Sequence, residues 1–315
     1  MASEQMAATI DLLKQIGPLD VNMMTVESMR AVYDQIGDAY PPAAETLIEE
    51  VDLAGIAAEK ITRGTCDSSR AILYLHGGGY VIGSLKSHRE LASRLALVAG
   101  CVVYLLDYPL APEHPYPAAL DAARAGFGAI AGSLPAGLSV AGDSAGGGLA
   151  AALLLAMRDA GGPQPRACAL LSPWLDMTMS GQSFKTRAAA DPLVDLAQLE
   201  QWVTYYAVDL DSRTPLVSPL FGDLAGLPPV YAQVGTREVL YDDAVRFIDR
   251  AREAGVDATM DAFDGCIHVF QQFSPDAPES QDALGRLSRF FGRHWGSADE
   301  LASGHGLGRW SSPSS

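Results

Sequence analysis

Gly142-Asp143-Ser144-Ala145-Gly146 follows the apolar run Leu138-Ser139-Val140-Ala141 and opens an Ala- and Leu-rich segment reaching from Gly147 to Met157. The physical reading is strand, tight turn, helix. A turn that sharp crowds the residues two before and two after its apex, which gives glycine a steric reason at 142 and 146. Ser144 then stands at the apex with its hydroxyl exposed. The N-terminus of the following helix, with unpaired N–H groups and partial positive charge, is aimed at any oxygen that becomes negative beside it. Serine is a poor nucleophile until a base takes its proton, and a tetrahedral intermediate needs donors for its oxyanion. Both partners must come from elsewhere in the chain.

Outward from this turn, strand and helix alternate. Apolar, β-rich runs occur at 71–75, 101–106, 138–141, 168–171, 230–234 and 259–263, separated by helical patterns at 90–98, 118–130, 149–157 and 242–253, with a last helix at 281–295. Continuous apolar strands joined through helices predict an α/β fold with a mostly parallel central sheet, covered by helices on both faces. Before them, 46–53 and 56–62 alternate and read as antiparallel edge strands, giving about eight strands in all.

Two regions stand outside this rhythm. In residues 1–45, Met6, Ile10 and Leu13 share one helical face, and Val26, Met29, Val32 and Ile36 share another, with Thr25 as N-cap of the second helix. Two short helices must cover an apolar surface elsewhere, so they read as a lid over a site, with plain packing as the alternative. More than fifty residues separate Pro173 from Val230, which exceeds a simple crossover and predicts a cap insertion at about 180–215. The expected organisation is N-terminal cap helices at 1–45, a catalytic domain at 46–295 carrying that insertion, and a loosely ordered Gly/Ser-rich tail at 296–315.

A strand ends at Leu75 and runs into His76-Gly77-Gly78-Gly79-Tyr80. Successive glycines leave backbone N–H groups free to approach a ligand, so the N–H groups of Gly78, Gly79 and Ala145 are the candidate oxyanion donors. Of six histidines, His268 follows the last strand and is placed to reach Ser144 as general base. His76 belongs to the glycine loop and His114 to a proline-rich turn; His88, His294 and His305 fall on helix or tail and read as solvated. The acid should follow the penultimate strand, where Glu238 stands, ahead of its competitor Asp242 at the next helix start. Asp191-Pro192-Leu193-Val194-Asp195 looks like an acid motif but falls in the cap insertion, after no core strand.

The chain has 315 residues, enough for a large core in one elaborated domain, and a formal net charge of −16. That charge speaks against nucleic acid or an anionic membrane as partner. No apolar run is long enough to span a bilayer, and the start has neither a basic n-region nor a long apolar h-region, so a cytoplasmic chain without membrane insertion is expected. The four cysteines have no C-x-x-C spacing, which suggests neither a disulfide framework nor a metal site. They read as reduced core residues.

With these residues in place, the chain resembles the hormone-sensitive-lipase-like branch of the α/β-hydrolases, the bacterial family IV carboxylesterases. The resemblance runs from about Leu73 to Phe273 on HGGGY at 76–80, YPLAPEHPYPAAL at 108–120, GDSAGGGLA at 142–150, SPWLDM at 172–177 and DGCIHVF at 264–270. It implies an α/β-hydrolase in which the glycine loop builds the oxyanion hole, the elbow serine attacks and a two-part cap shapes the acyl pocket. The family's Asp-Pro-Leu-x-Asp motif falls on Glu238 to Asp242, with glutamate in place of aspartate. The arginine of its YRLAPEHP motif is Pro109, which removes a charge from that loop.

The expected activity is hydrolysis of short-chain acyl esters by Ser144, His268 and Glu238, with a small-molecule ester as partner and no cofactor or metal. The same triad would also serve a lactonase or a terpenoid- or drug-ester hydrolase, and a non-catalytic receptor is the alternative of another class. Met23, Met24, Trp202, Tyr205 and Tyr206 are the candidate pocket lining. An acidic surface with an exposed last strand is compatible with a homodimer.

Overall fold

A computed structural model of the chain describes residues 2–64, 66–134 and 137–295. Along the chain run α1 (Glu4–Ile16), α2 (Val26–Ala39), β1 (Thr46–Leu53), β2 (Ile56–Arg63), β3 (Asp67–Leu75), α3 (Leu85–Ala99), β4 (Cys101–Leu106), α4 (Ala118–Ala131), β5 (Gly137–Asp143) and α5 (Ser144–Asp159). They continue with β6 (Cys168–Leu171), α6 (Ser183–Thr186), α7 (Leu196–Tyr206), β7 (Val230–Gly235), α8 (Tyr241–Glu253), β8 (Ala258–Phe263), α9 (Phe270–Phe273) and α10 (Pro278–His294). The strands form one eight-stranded sheet in the order β1-β2-β4-β3-β5-β6-β7-β8. β1, β2 and β4 pair antiparallel and the remaining neighbours parallel.

The continuous apolar runs are explained by burial on both faces. In β3, Leu73 and Leu75 point to one side, among residues of α4, α5 and α8 such as Phe127, Leu149 and Phe247. Ile72 and Tyr74 point to the other, among Leu91 and Leu95 of α3 and Leu284, Leu287 and Phe291 of α10. That is the period-2 alternation of a strand, with both sides dry. The elements begin earlier than the apolar pattern suggests. β3 starts at Asp67 with a register shift before Ala71, and α3 starts at Leu85 behind a capping box on Ser84. The polar residues of these first turns hide them from a hydrophobicity reading.

The N-terminal helices dock at separate places. Met6 and Ile10 of α1 pack on Phe263, Ile267 and Phe270 beyond the end of β8. Ser3 caps α1 and also bonds Glu279 at the start of α10 with its N–H (2.6 Å) and hydroxyl (2.7 Å). Of the face expected on α2, Met29 alone is buried, while Val32 is 40 % exposed. α2 is instead held by Arg30, whose guanidinium donates to the carbonyls of Val81 (2.8 Å) and Ala111 (2.9 Å) and grips Glu113 with two bonds of 2.8 and 2.7 Å. The expected tail at 296–315, with His305, lies outside the described residues.

Arg30→Ala removes the clamp between α2 and the loops after Tyr80 and Leu110. We expect it to lower unfolding stability by about 1–2 kcal/mol, read as the denaturant midpoint; an unchanged midpoint would show that α2 is held without it.

Candidate active site

The turn after β5 has the geometry its glycines imply. Ser144 has φ of 51°, in the left-handed region that side chains other than glycine rarely adopt. A Cβ on Gly146 would overlap the carbonyl oxygens of Leu75 and His76, and one on Gly142 would overlap the carbonyl of Gly146. Crowding therefore comes both from within the turn and from the end of β3 beside it. The N–H groups of the first turn of α5, Ala145 included, have no partner within the helix.

The glycine loop is held from below by buried polar groups. Asp143 Oδ1 accepts the Gly77 N–H (3.1 Å) and the Tyr74 hydroxyl (2.9 Å), and the Tyr108 hydroxyl donates to the His76 carbonyl (2.6 Å). Gly78 and Gly79 have φ of 114° and 62°, and the Trp202 ring lies where a Cβ of Gly79 would be. His76 stacks on Tyr108 with ring centroids 4.2 Å apart. Burial, with the adjacent His88 adding to it, pulls the His76 imidazole down to about 3, so it is neutral. His88 corrects the sequence reading: it is fully buried. Its Nδ1 meets the Ser87 hydroxyl (2.9 Å) and its Nε2 faces Asp143 Oδ2 (3.4 Å). Burial opposes ionisation of Asp143, but His88, the Tyr74 hydroxyl and His76 outweigh it and hold the carboxyl below its ordinary range.

On the other side of Ser144, the loops after β7 and β8 meet. His268 Nδ1 lies 2.8 Å from Glu238 Oε2. The second oxygen of Glu238 accepts the Gly235 N–H (2.6 Å) and the Ser172 hydroxyl (2.8 Å), and the Ser172 Oγ in turn accepts the Val269 N–H (3.0 Å). Burial raises the Glu238 carboxyl, with His268 opposing. For His268, burial acts downward, but the bond and charge of Glu238, with Asp191 and Asp143 behind it, carry the imidazole above its ordinary value. Asp242 is elsewhere, accepting the Ser183 N–H (2.9 Å). Ser172 was missed by sequence reasoning. Its signal was its place at the C-terminal end of β6, level with the elbow, in SPWLDM.

Ser144, His268, Gly78, Gly79 and Trp202 line one cavity of about 360 Å³. Its remaining wall is largely apolar and comes from α1 and α2 (Leu12, Leu13, Ile16, Tyr33, Ile36) and from the segment around α7 (Leu193, Val194, Leu199). No Asp, Glu, Lys or Arg is among the described residues lining it. Of the lining residues expected from sequence Trp202 alone is there, and the others are corrected. Met23 is 82 % exposed, and Met24 packs at the edge of the core. Tyr205 takes the Gln201 amide (2.6 Å), and Tyr206 is buried in a stack on Tyr80, 3.8 Å between centroids. These tyrosines neighbour Trp202 in sequence, and the sequence does not say which way the helix turns.

Gly79→Ala introduces a methyl where the Trp202 ring lies, at a positive φ. We expect a loss of roughly 2 kcal/mol or more in unfolding stability, partly recovered in Gly79→Ala/Trp202→Ala; equal denaturant midpoints for wild type and the single variant would sink this account of the loop.

Comparison with known proteins agrees with the fold. Residues 72–272 match the family model described as alpha/beta hydrolase fold. An acetyl-hydrolase of Streptomyces hygroscopicus is 41 % identical over 261 residues, covering 82 % of this chain and 87 % of that protein. An esterase of Acinetobacter venetianus is 36 % identical over 266 residues, covering 84 % and 88 %. Among solved structures, an esterase/lipase from an uncultured bacterium superposes with a TM-score of 0.88 at 37 % identity, covering 93 % of this chain and 99 % of that one. An esterase from the bacterial hormone-sensitive lipase family gives 0.89 at 38 %, covering 94 % and 100 %. None of the helices of the described residues is long and apolar enough to cross a membrane. The chain belongs to the alpha/beta hydrolase fold family, in its hormone-sensitive-lipase-like branch, and is a carboxylic ester hydrolase.

Proposed function

We propose that the chain is a serine carboxylesterase for short-chain, uncharged acyl esters, working through Ser144, His268 and Glu238 and a covalent acyl-enzyme. The observation that carries this reading is the His268–Glu238 bond of 2.8 Å, with His268 and the left-handed Ser144 on one cavity. With Nδ1 engaged by Glu238, Nε2 of His268 is the nitrogen left for proton transfer.

Ser144 Oγ attacks the ester carbonyl as its proton passes to His268 Nε2, and Glu238 stabilises the imidazolium. The carbonyl oxygen becomes an oxyanion between the N–H groups of Gly78, Gly79 and Ala145. No backbone acceptor among the described residues takes the N–H of Gly78 or Gly79. The carbon–oxygen bond to the alcohol breaks as His268 returns the proton to the leaving alkoxide. A water, deprotonated by His268 in its turn, then releases the acid and restores Ser144.

The residue types around the cavity support the substrate class. A lining free of formal charge offers no counter-ion to a carboxylate or ammonium, and about 360 Å³ is at the small end of the roughly 300–1,000 Å³ range of ligand sites. Residues 1–45 and about 180–215 act as the cap, since α1, α2 and the segment around α7 supply most of the apolar wall.

Hydrolysis of p-nitrophenyl esters from acetyl to palmitoyl should peak at short acyl chains and vanish in Ser144→Ala; activity that survives the substitution sinks the assignment. Glu238→Gln should lower kcat by roughly 10³-fold or more with the fold intact. The pH dependence follows from His268, which must be neutral to accept the proton. Its folded value is raised, so activity is lost as pH falls through a point above the ordinary ~6.5 of histidine. A kcat/KM profile with its acid limb below that value would contradict the Glu238–His268 pairing.

A further inference from the structure

Asp191 looked, as sequence, like a stray acid motif in the wrong place. In the structure it is half-buried against the site. Its Oδ2 accepts the N–H of Val239 (2.9 Å), the residue after Glu238. Its Oδ1 accepts the N–H groups of Leu193 (3.0 Å) and Val194 (3.2 Å), both of which line the cavity. Three N–H donors on two oxygens is the pattern of an acceptor-only carboxylate, so the group is charged. Burial raises its carboxyl, while the charge of His268 and these N–H groups act the other way.

We propose that Asp191 is a positioning residue for the esterase reaction, tying the cavity wall at Leu193–Val194 to the acid loop at Val239 and placing a second negative charge behind His268. The proposal rests on the Ser144–His268–Glu238 reading. One carboxylate joins two elements that are far apart in sequence: the segment between α6 and α7, and the turn from β7 into α8. A wall that moves away from the acyl group therefore pulls on the peptide next to Glu238. The charge acts on the same step as Glu238, because the imidazolium formed when Ser144 attacks is stabilised by each anion in reach. The anionic groups that face His268 are Glu238 from the loop after β7, Asp191 from the cap segment and Asp143 from the end of β5.

A structural tie alone would affect stability and leave the protonation of His268 untouched, so the pH profile discriminates. In Asp191→Asn the amide keeps the shape and one of the two acceptor oxygens but loses the charge. The acid limb of kcat/KM for p-nitrophenyl acetate should move to lower pH, because less negative charge favours neutral His268, and kcat should fall roughly tenfold. Asp191→Glu, which keeps the charge, should leave the limb at or above its wild-type position. Asp195→Asn, which removes a nearby carboxylate that caps α7 through the Gln198 N–H (2.7 Å), should not move it. Asp191→Ser carries the same expectation as asparagine should that variant fail to fold. A limb coincident with wild type in the uncharged variants, or displaced equally by Asp195→Asn, overturns the proposal. Glu238→Gln assayed alongside separates the two failures: full activity there overturns the triad itself, whereas its inactivation beside an unmoved Asp191→Asn limb overturns only the role of Asp191.

Discussion

The close approach of the β5–α5 turn to the end of β3 is the contact on which the site depends. Two glycines let the turn pack on the carbonyl oxygens of Leu75 and His76, where any Cβ would overlap. That packing holds Ser144 at its left-handed φ, a conformation costing roughly 1–2 kcal/mol that persists only when its surroundings over-determine it. It also fixes where the glycine loop begins. Because β3 and β5 are parallel neighbours, with Leu75 opposite Gly142, the loop leaving one and the helix leaving the other start at the same level. The first N–H groups of both therefore begin side by side at one end of the sheet, where the proposed mechanism needs them.

Around this contact, charge is distributed by burial. Beneath the glycine loop Asp143 is the anion, His76 stays neutral, and a phenol, an imidazole and a backbone N–H all converge on the one carboxylate. Above it the priority reverses: His268, the base of the proposed mechanism, has carboxylates arranged around it so that a proton gained is favoured. A buried carboxylate with only one partner would be costly, and each here has at least two. The same solution holds the glycine loop in one place and, in the proposed mechanism, serves proton transfer in the other, and the difference is which group lines the cavity.

What the sequence made legible was whatever is local. The strands, their two dry faces and the positions of Ser144, Glu238 and His268 at the C-terminal ends of β5, β7 and β8 follow from apolar runs and the residues that interrupt them. His88 was misread because its helix looks amphipathic and charged, whereas the buried face is decided by Asp143, 55 residues away. Ser172 and the contacts of Asp191 were missed for the same reason: each has partners that the fold brings near, and neither sits in a periodic pattern. The cavity lining was the least legible part. Tyr205 and Tyr206 neighbour Trp202 in sequence distance but not in direction, since residues three or four apart share a helix face only approximately and the rotation of α7 is set by Tyr80 and Gly79 beneath it.

The glutamate at 238 illustrates how a substitution in a family motif is absorbed. A glutamate has one more rotatable bond than an aspartate, and that freedom would blur the orientation of His268 if only one oxygen were held. Here the far oxygen is fixed by the Gly235 N–H and the Ser172 hydroxyl, while the near oxygen meets His268. Ser172 also receives the Val269 N–H, so a single hydroxyl sets Glu238 and the backbone next to His268 in one frame. The longer side chain is therefore no less constrained than a shorter one would be, and the constraint comes from β6, a strand that contributes no member of the proposed triad. Holding the Glu238 carboxylate in place is a property of the sheet end as a whole, since its partners come from the ends of β6, β7 and β8.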